Sequence, residues 1–284
     1  MSTKYKGEDI EERYISCYEE TFRLCFQTIN RITIKTRFGD TNVNMVGDDS
    51  RPKLLLIHGN YVNSSMWYPN IDELNKHFKL YMIDFINAPG EFIFKNKMNS
   101  DDFAQWLLEI VDFLKLEKVN IIGFSLGAYY ALNFSIYHSN RINKMILMSP
   151  GDFTPLKIGF FVRLFKGLLP WTGLKAIKKM HFNDNKVNIP DSFIMQFFLG
   201  VKNYIPSGLN GIPTKMKIED YKKVSLPILL LLGEQDKGIN SKMAYTNAKE
   251  LIPHIQPEII PNCGHLINLE AAEYINKAIR EFLL

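Results

Sequence analysis

The sequence has no uninterrupted apolar run of the roughly 20 residues that a membrane-spanning helix needs. Its most apolar stretch, from Ile158 to Trp171, is interrupted by Arg163 and Lys166. The first 20 residues carry charges of both signs and no apolar segment, which is not the pattern of a secretory signal. We therefore expect a protein with no stable membrane span.

Cysteine is also scarce, because the chain has only Cys17, Cys25 and Cys263 and no C-x-x-C pair. An odd and sparse set argues against a disulfide scaffold and is typical of a reducing compartment. The expected location is the cytoplasm.

Neither sign of charge dominates. The chain has 34 basic and 30 acidic residues, and its net charge is +4 over 284 residues. Nucleic-acid binding needs clustered Lys and Arg, and the sequence has no such cluster, so no nucleic-acid partner is expected. Metal-ligand spacing, a glycine-rich phosphate loop and a dinucleotide fingerprint are missing as well. We expect no metal and no other cofactor.

What the sequence does have is an alternation of apolar strands and helices that begins at Lys53. Short apolar runs such as KLLLI (53–57) and PILLLL (227–232) are typical of strands buried on both faces. Helical patterns lie between such strands, and we expect helices at 64–77, 100–116, 125–138, 241–251 and 266–284. This alternation predicts the α/β class, with a mostly parallel central sheet flanked by helices. A helix at 8–25 and an antiparallel hairpin at 32–46 precede it.

The alternation stops between Gly151 and Lys223, where Phe, Leu and Lys are frequent and Gly and Pro interrupt the pattern. We expect short helices here, inserted as a helical cap (lid) at 151–223. The α/β core then comprises residues 1–150 and 224–284.

The sharpest motif is Gly123-Phe124-Ser125-Leu126-Gly127, which lies where a buried strand meets a helix. This is the G-x-S-x-G nucleophile elbow, in which a strained turn lifts the serine hydroxyl above the sheet edge. The flanking glycines leave room where side chains would clash. We predict Ser125 to be a nucleophile.

A serine hydroxyl needs a base to take its proton at neutral pH. His265 follows the last strand in a loop that opens a helix, a position from which an imidazole can reach over the sheet edge. A different role is open to His181, which lies in the inserted segment and is a candidate for lining a pocket.

The base in turn needs a carboxylate to hold its tautomer. Asp236 follows the PILLLL strand and is the favoured acid. Two rivals remain open at this point: Glu234, two residues earlier, and Asp152, which follows the preceding strand.

An oxyanion intermediate needs two well-placed donors. One is the backbone N–H of Leu126, next to the nucleophile. The other is expected in the loop after KLLLI, where Gly59 allows the turn and Asn60 supplies the N–H. We expect His58 to be structural, hydrogen-bonded under this loop.

Together these motifs resemble the α/β-hydrolase superfamily, and most of all its cap-bearing carboxylesterase-type branch. The resemblance covers Arg31 to the C-terminus and includes five landmarks in order: His58-Gly59, Asp84 with Pro89-Gly90, Ser125, Asp236, and Gly264-His265. It implies a Ser125–His265–Asp236 triad and the Asn60/Leu126 oxyanion pair. Two departures, Asn60 after the HG pair and the loop FINAPGEF after Asp84, bear on substrate class.

The expected activity is serine hydrolysis of a carboxylic ester of a small to medium apolar substrate, since aromatic residues are abundant in the expected pocket. Its candidate lining residues are Phe124, Phe160, Phe161 and Trp171. The same triad would also serve a thioesterase, lactonase, amidase or C–C bond hydrolase. A ligand receptor on the same scaffold and a lipid-surface binding protein are the non-enzymatic alternatives.

Overall fold

The computed structural model describes residues 8–84, 98–169, 172–176, 188–203 and 216–284. The strands are β1 (Asn30–Thr36), β2 (Gly39–Val46), β3 (Lys53–Ile57), β4 (Lys79–Ile83), β5 (Val119–Phe124), β6 (Ile142–Met148), β7 (Ile228–Gly233) and β8 (Gln256–Ile260). Within the described residues they form one sheet in the order β1-β2-β4-β3-β5-β6-β7-β8. β2 pairs antiparallel with β1 and with β4, and all other neighbours are parallel. The predicted α/β class and edge hairpin are confirmed.

The helices are α1 (Glu8–Phe22), α2 (Tyr68–Leu74), α3 (Ser100–Phe113), α4 (Leu126–His138), α5 (Ile158–Leu168), α6 (Asp191–Asn203), α7 (Ile218–Tyr221), α8 (Ser241–Leu251), α9 (Ile267–Glu270) and α10 (Ala272–Leu283). The expected helix at 64–77 is instead a 3₁₀ turn at Ser64–Trp67 followed by α2, which has Pro69 in its first turn, where no backbone N–H is needed. The expected terminal helix is divided by the non-helical backbone of Ala271. No helix within the described residues has the length and apolar character to cross a membrane.

The sheet separates two apolar layers because successive side chains of a strand point to opposite faces. In β3, Leu55 and Ile57 join the cluster beneath α3 and α4, whereas Leu54 and Leu56 join the cluster on the other face. Both clusters are buried, which explains why β3 reads as a continuous apolar run. The result is a rigid sheet whose carboxyl edge can hold polar groups in fixed positions.

The segment 151–223 lies between β6 and β7 and contains α5, α6 and α7, and its described residues 174–176 are helical as well. α6 packs against α1, and the two are linked by a hydrogen bond from Thr21 Oγ1 to Ser192 Oγ (2.9 Å). Several residues singled out in the sequence lie outside the described residues: the loop FINAPGEF (85–92) with Pro89 and Gly90, and Trp171 and His181.

Candidate active site

Ser125 occupies a sharp turn between β5 and α4, with backbone angles φ 51° and ψ −112°. A non-glycine residue in this region is strained and persists only where its surroundings impose it. The glycines on either side make the turn possible: a Cβ on Gly123 would lie 2.4 Å from the carbonyl oxygen of Gly127, and one on Gly127 would lie 2.3 Å from that of Ile57. The Ser125 N–H donates to the Met148 carbonyl at 2.8 Å, which ties the turn to β6.

The imidazole of His265 lies between Ser125 and Asp236. Its Nε2 is 3.1 Å from Ser125 Oγ, and its Nδ1 is 2.6 Å from Asp236 Oδ2. The backbone of His265 is held as well, because its carbonyl accepts a hydrogen bond from Ser149 Oγ (2.9 Å). Ser149 was not predicted to have this role; its position directly after β6, at the same sheet edge, was the available signal.

Asp236 follows β7 and is 2% exposed. Its Oδ1 accepts the backbone N–H groups of Gly238 (2.6 Å) and Ile239 (3.1 Å). Burial by itself raises the pKa of Asp236, but the His265 ring and these two donors outweigh burial and hold the pKa below its usual range. Burial likewise lowers the pKa of His265, and the adjacent Asp236 carboxylate reverses this, so that the pKa of His265 is raised. The pair therefore favours an ionised acid that stabilises imidazolium.

The two rival acids are placed elsewhere. Glu234 is exposed, and its Oε2 accepts the Asn262 N–H at 2.9 Å. Desolvation raises the pKa of Asp152 to about 7, so this carboxyl is not a fixed negative charge at neutral pH. In the part of the chain that the structure describes, the carboxylate hydrogen-bonded to His265 is that of Asp236.

The loop after β3 lies directly against the elbow. A Cβ on Gly59 would be 2.8 Å from Cδ1 of Phe124 and 3.3 Å from Cβ of Ser125, so close approach, rather than an unusual φ, requires glycine here. Within the described residues, the hydrogen bonds leave the backbone N–H groups of Asn60 and Leu126 without a protein acceptor. An oxyanion site requires donors that are free in this way, and the assignment of these two N–H groups to it stays a prediction.

His58 lies beneath this loop. It is fully buried with Nδ1 2.7 Å from the Gly59 carbonyl oxygen, and burial lowers its pKa to about 4. A neutral, buried imidazole bonded to the backbone agrees with the structural role expected for it.

The four candidate lining residues differ in what the structure describes. Phe124 is buried with its ring edge-on to that of His265, at a centroid distance of 5.2 Å. Phe160 is half-buried, and its ring borders Gly238 beside the acid loop. The side chain of Phe161 and the whole of Trp171 lie outside the described part. Their contact with a substrate stays a prediction.

Comparison with known proteins gives concordant results. Residues 52–177 match the family described as alpha/beta hydrolase fold. The chain is 32% identical over 278 residues to an uncharacterised carboxylesterase, nap, of Bacillus subtilis, covering 95% of this chain and 92% of the relative. It is 29% identical to carboxylesterase YbfK of the same organism, covering 95% and 93%. Among solved structures, naproxen esterase from Bacillus subtilis aligns with a TM-score of 0.89 at 30% identity, covering 98% of this chain and 100% of that one.

Proposed function

This chain belongs to the α/β-hydrolase fold family, and on that premise we propose that it is a serine carboxylesterase acting through an acyl-serine intermediate. The observation that carries the proposal is the hydrogen-bonded series from Asp236 through His265 to Ser125. The similarity to two carboxylesterases over nearly the whole chain supports the same reaction class.

The geometry supports the following acylation step. Ser125 Oγ attacks the ester carbonyl carbon while His265 Nε2 takes the hydroxyl proton, and Asp236 stabilises the resulting imidazolium. The negative charge that forms on the carbonyl oxygen accepts hydrogen bonds from the N–H groups of Asn60 and Leu126. The positive end of the α4 dipole lies at the same place and adds to this stabilisation.

The intermediate collapses when the bond from carbon to the alcohol oxygen breaks and Nε2–H protonates the departing alcohol. Water then enters, gives a proton to His265 and attacks the acyl carbon. The acid leaves, and Ser125 recovers its proton. Because His265 acts as base and then as acid in each half-reaction, its pKa must remain near the working pH.

We further propose that the segment 151–223 forms a cap that shapes an apolar acyl or alcohol pocket. Its start is attached beside the acid loop, since the Lys157 N–H donates to the Gly238 carbonyl (2.8 Å) and Lys157 Nζ to the Asp236 carbonyl (2.7 Å). Phe160 lies next to this attachment, and Phe124 packs against the His265 ring. Phe161 and Trp171 are the remaining candidates for lining the pocket. We propose no cofactor for this reaction, and we expect the protein to be located in the cytoplasm.

The decisive experiment replaces Ser125 by Ala and measures hydrolysis of p-nitrophenyl butyrate. We expect kcat to fall by at least about a thousandfold, because the nucleophile is lost while the rest of the site remains. Ser135→Ala is the matched control: Ser135 is a buried serine of α4, the helix that follows Ser125, and its hydroxyl bonds to the Leu132 carbonyl (2.6 Å). Its activity should remain close to that of the unaltered protein.

A fluorophosphonate probe separates an enzyme from a receptor. It should label the unaltered protein and Ser135→Ala but not Ser125→Ala. Equal labelling of all three proteins, or hydrolysis that persists without Ser125, would remove Ser125 as nucleophile. Comparing oxygen esters with thioesters, lactones and amides of the same acyl group then assigns the substrate class.

A further inference from the structure

The loop that carries Asn60 is fixed at its far end by α1, a helix that lies outside the proposed catalytic groups. We propose that α1 is a positioning element for the oxyanion site, with Tyr18 and Tyr14 as positioning residues. This inference rests on the proposed function, because it concerns the donor that Asn60 supplies in that reaction.

The first attachment is a buried carboxylate, Asp84, at the end of β4. Asp84 Oδ1 accepts the backbone N–H of Ser64 at 2.7 Å. Its Oδ2 accepts the hydroxyl of Tyr18 at 2.7 Å and Nδ2 of Asn44 at 3.2 Å. Tyr18 and Asn44 also contact the Ser64 hydroxyl, at 3.1 and 2.8 Å. Ser64 is thus bound by both its backbone and its side chain.

The polar contacts around Asp84 extend through the same residues. The only imidazole nearby, within the described residues, is that of His58 at 4.0 Å, and its pKa of about 4 leaves it neutral. The guanidinium of Arg31 lies over the Tyr18 ring at 4.7 Å and donates through Nε to Asn44 Oδ1 at 2.8 Å. Removing a hydrogen-bond donor from a buried carboxylate destabilises the folded protein. The Tyr18 hydroxyl is such a donor, and it helps to keep Asp84 in this position.

The second attachment involves the residue before Ser64. Asn63 Nδ2 donates to the Tyr14 hydroxyl at 2.6 Å, and Asn63 Oδ1 accepts the N–H and the hydroxyl of Ser65, at 3.0 and 2.7 Å. Tyr14 and Tyr18 are four residues apart and therefore lie on one face of α1. One face of α1 is therefore hydrogen-bonded to two consecutive residues, Asn63 and Ser64, at the far end of the loop.

These contacts matter for chemistry because the loop is short. Asn60 is only three residues before Asn63, and on its other side Gly59 is packed against Phe124 and Ser125. With one end pressed against the elbow and the other bound to α1, the direction of the Asn60 N–H is set by both. Oxyanion donors act only when they are aimed at the developing charge, and displacements of about 1 Å can cost a hundredfold in rate.

The test compares Tyr18→Phe and Tyr14→Phe with Thr21→Val. Thr21 is a fully buried residue of the same helix, and its hydroxyl bonds to Ser192 in α6 and to the Cys17 carbonyl rather than to the loop. All three variants lose one buried hydroxyl, so each should lower the melting temperature by a few degrees. Two tyrosine variants are used so that a folding failure of one leaves the other as the test.

We expect Tyr18→Phe and Tyr14→Phe to lower kcat by about tenfold with KM within about twofold, because a donor used chiefly in the transition state is misdirected. Affinity for a trifluoromethyl ketone, which forms a tetrahedral adduct with the serine, should fall by the same factor. Thr21→Val should keep both values. Measurements are made well below the melting temperature of each variant.

The inference is overturned if the tyrosine variants keep kcat and ketone affinity, or if Thr21→Val loses as much as they do. The proposed function is judged separately by the unaltered protein and Ser125→Ala. If the unaltered protein is active and Tyr18→Phe and Tyr14→Phe leave kcat and ketone affinity unchanged, only the role of α1 is refuted. A protein inert to ester and fluorophosphonate would refute both.

Discussion

Replacing Asp236 by Asn gives the sharpest test of the proposed triad, because the structure determines how the amide must sit. In the unaltered protein, one carboxylate oxygen accepts two backbone N–H groups and the other accepts Nδ1–H of His265. The amide oxygen of Asn must take the first position, because only an acceptor suits two donors. Its NH₂ group is then directed at His265 Nδ1.

This arrangement reverses the imidazole tautomer. A donor at Nδ1 requires an unprotonated Nδ1, so the proton moves to Nε2, which faces Ser125 Oγ at 3.1 Å. An Nε2 that already bears a proton cannot act as the base. A wrong tautomer of this kind reduces kcat in serine hydrolases by about 10⁴-fold. At about 1.36 kcal/mol per tenfold change, the barrier rises by about 5.4 kcal/mol.

The assay is kcat for p-nitrophenyl butyrate at pH 8, with the melting temperature as a check on folding. Glu234→Gln and Asp152→Asn are the matched controls, since they make the same chemical change at the two other carboxyl groups considered. Both should retain most of the activity. Asp236 is not the acid of the triad if Asp236→Asn keeps more than about a tenth of kcat, or if either control loses as much activity as Asp236→Asn does.

Two further predictions follow from the same contacts. His265 must be neutral to act as base, and Asp236 raises the pKa of His265 above its ordinary value of about 6.5. We therefore expect kcat/KM to fall as the pH drops through a midpoint above that value. A kcat/KM that stays constant down to pH 5.5 would contradict the role of His265. Gly59→Ala should lower kcat by more than about tenfold while the protein stays folded, because the new Cβ would lie 2.8 Å from Phe124 and displace the Asn60 N–H. Circular dichroism checks the fold and kcat checks the activity. An unchanged kcat would show that the loop adapts to the added methyl group.

Much of the fold and of the candidate site can be read from local sequence patterns. Buried parallel strands produce continuous apolar runs, and the elbow needs Gly-x-Ser-x-Gly, so β3, β5 and Ser125 are visible in the sequence. Asp236 and His265 could be predicted for a related reason: each follows a strand, and the carboxyl ends of parallel strands meet at one edge of the sheet.

The choice among carboxylates depended on three-dimensional contacts. Asp236, Glu234 and Asp152 all follow strands, and only the folded loop shows that the N–H groups of Gly238 and Ile239 converge on Asp236. The contacts of α1 were equally hidden. Tyr18 and Ser64 are 46 residues apart, and Tyr14 and Asn63 are 49 apart. The sequence predicted a helix at 8–25 but not which polar groups its tyrosines contact.

The left-handed backbone at Ser125 has a consequence for engineering. Such a conformation costs about 1–3 kcal/mol in a non-glycine residue, so heat-resistance screens that ignore turnover would favour glycine at this position and enrich inert molecules. Improving the thermal tolerance of this protein therefore calls for selection on catalysis and melting together. Substitutions are best sought away from the junction of β5 with α4, in helices that face the solvent.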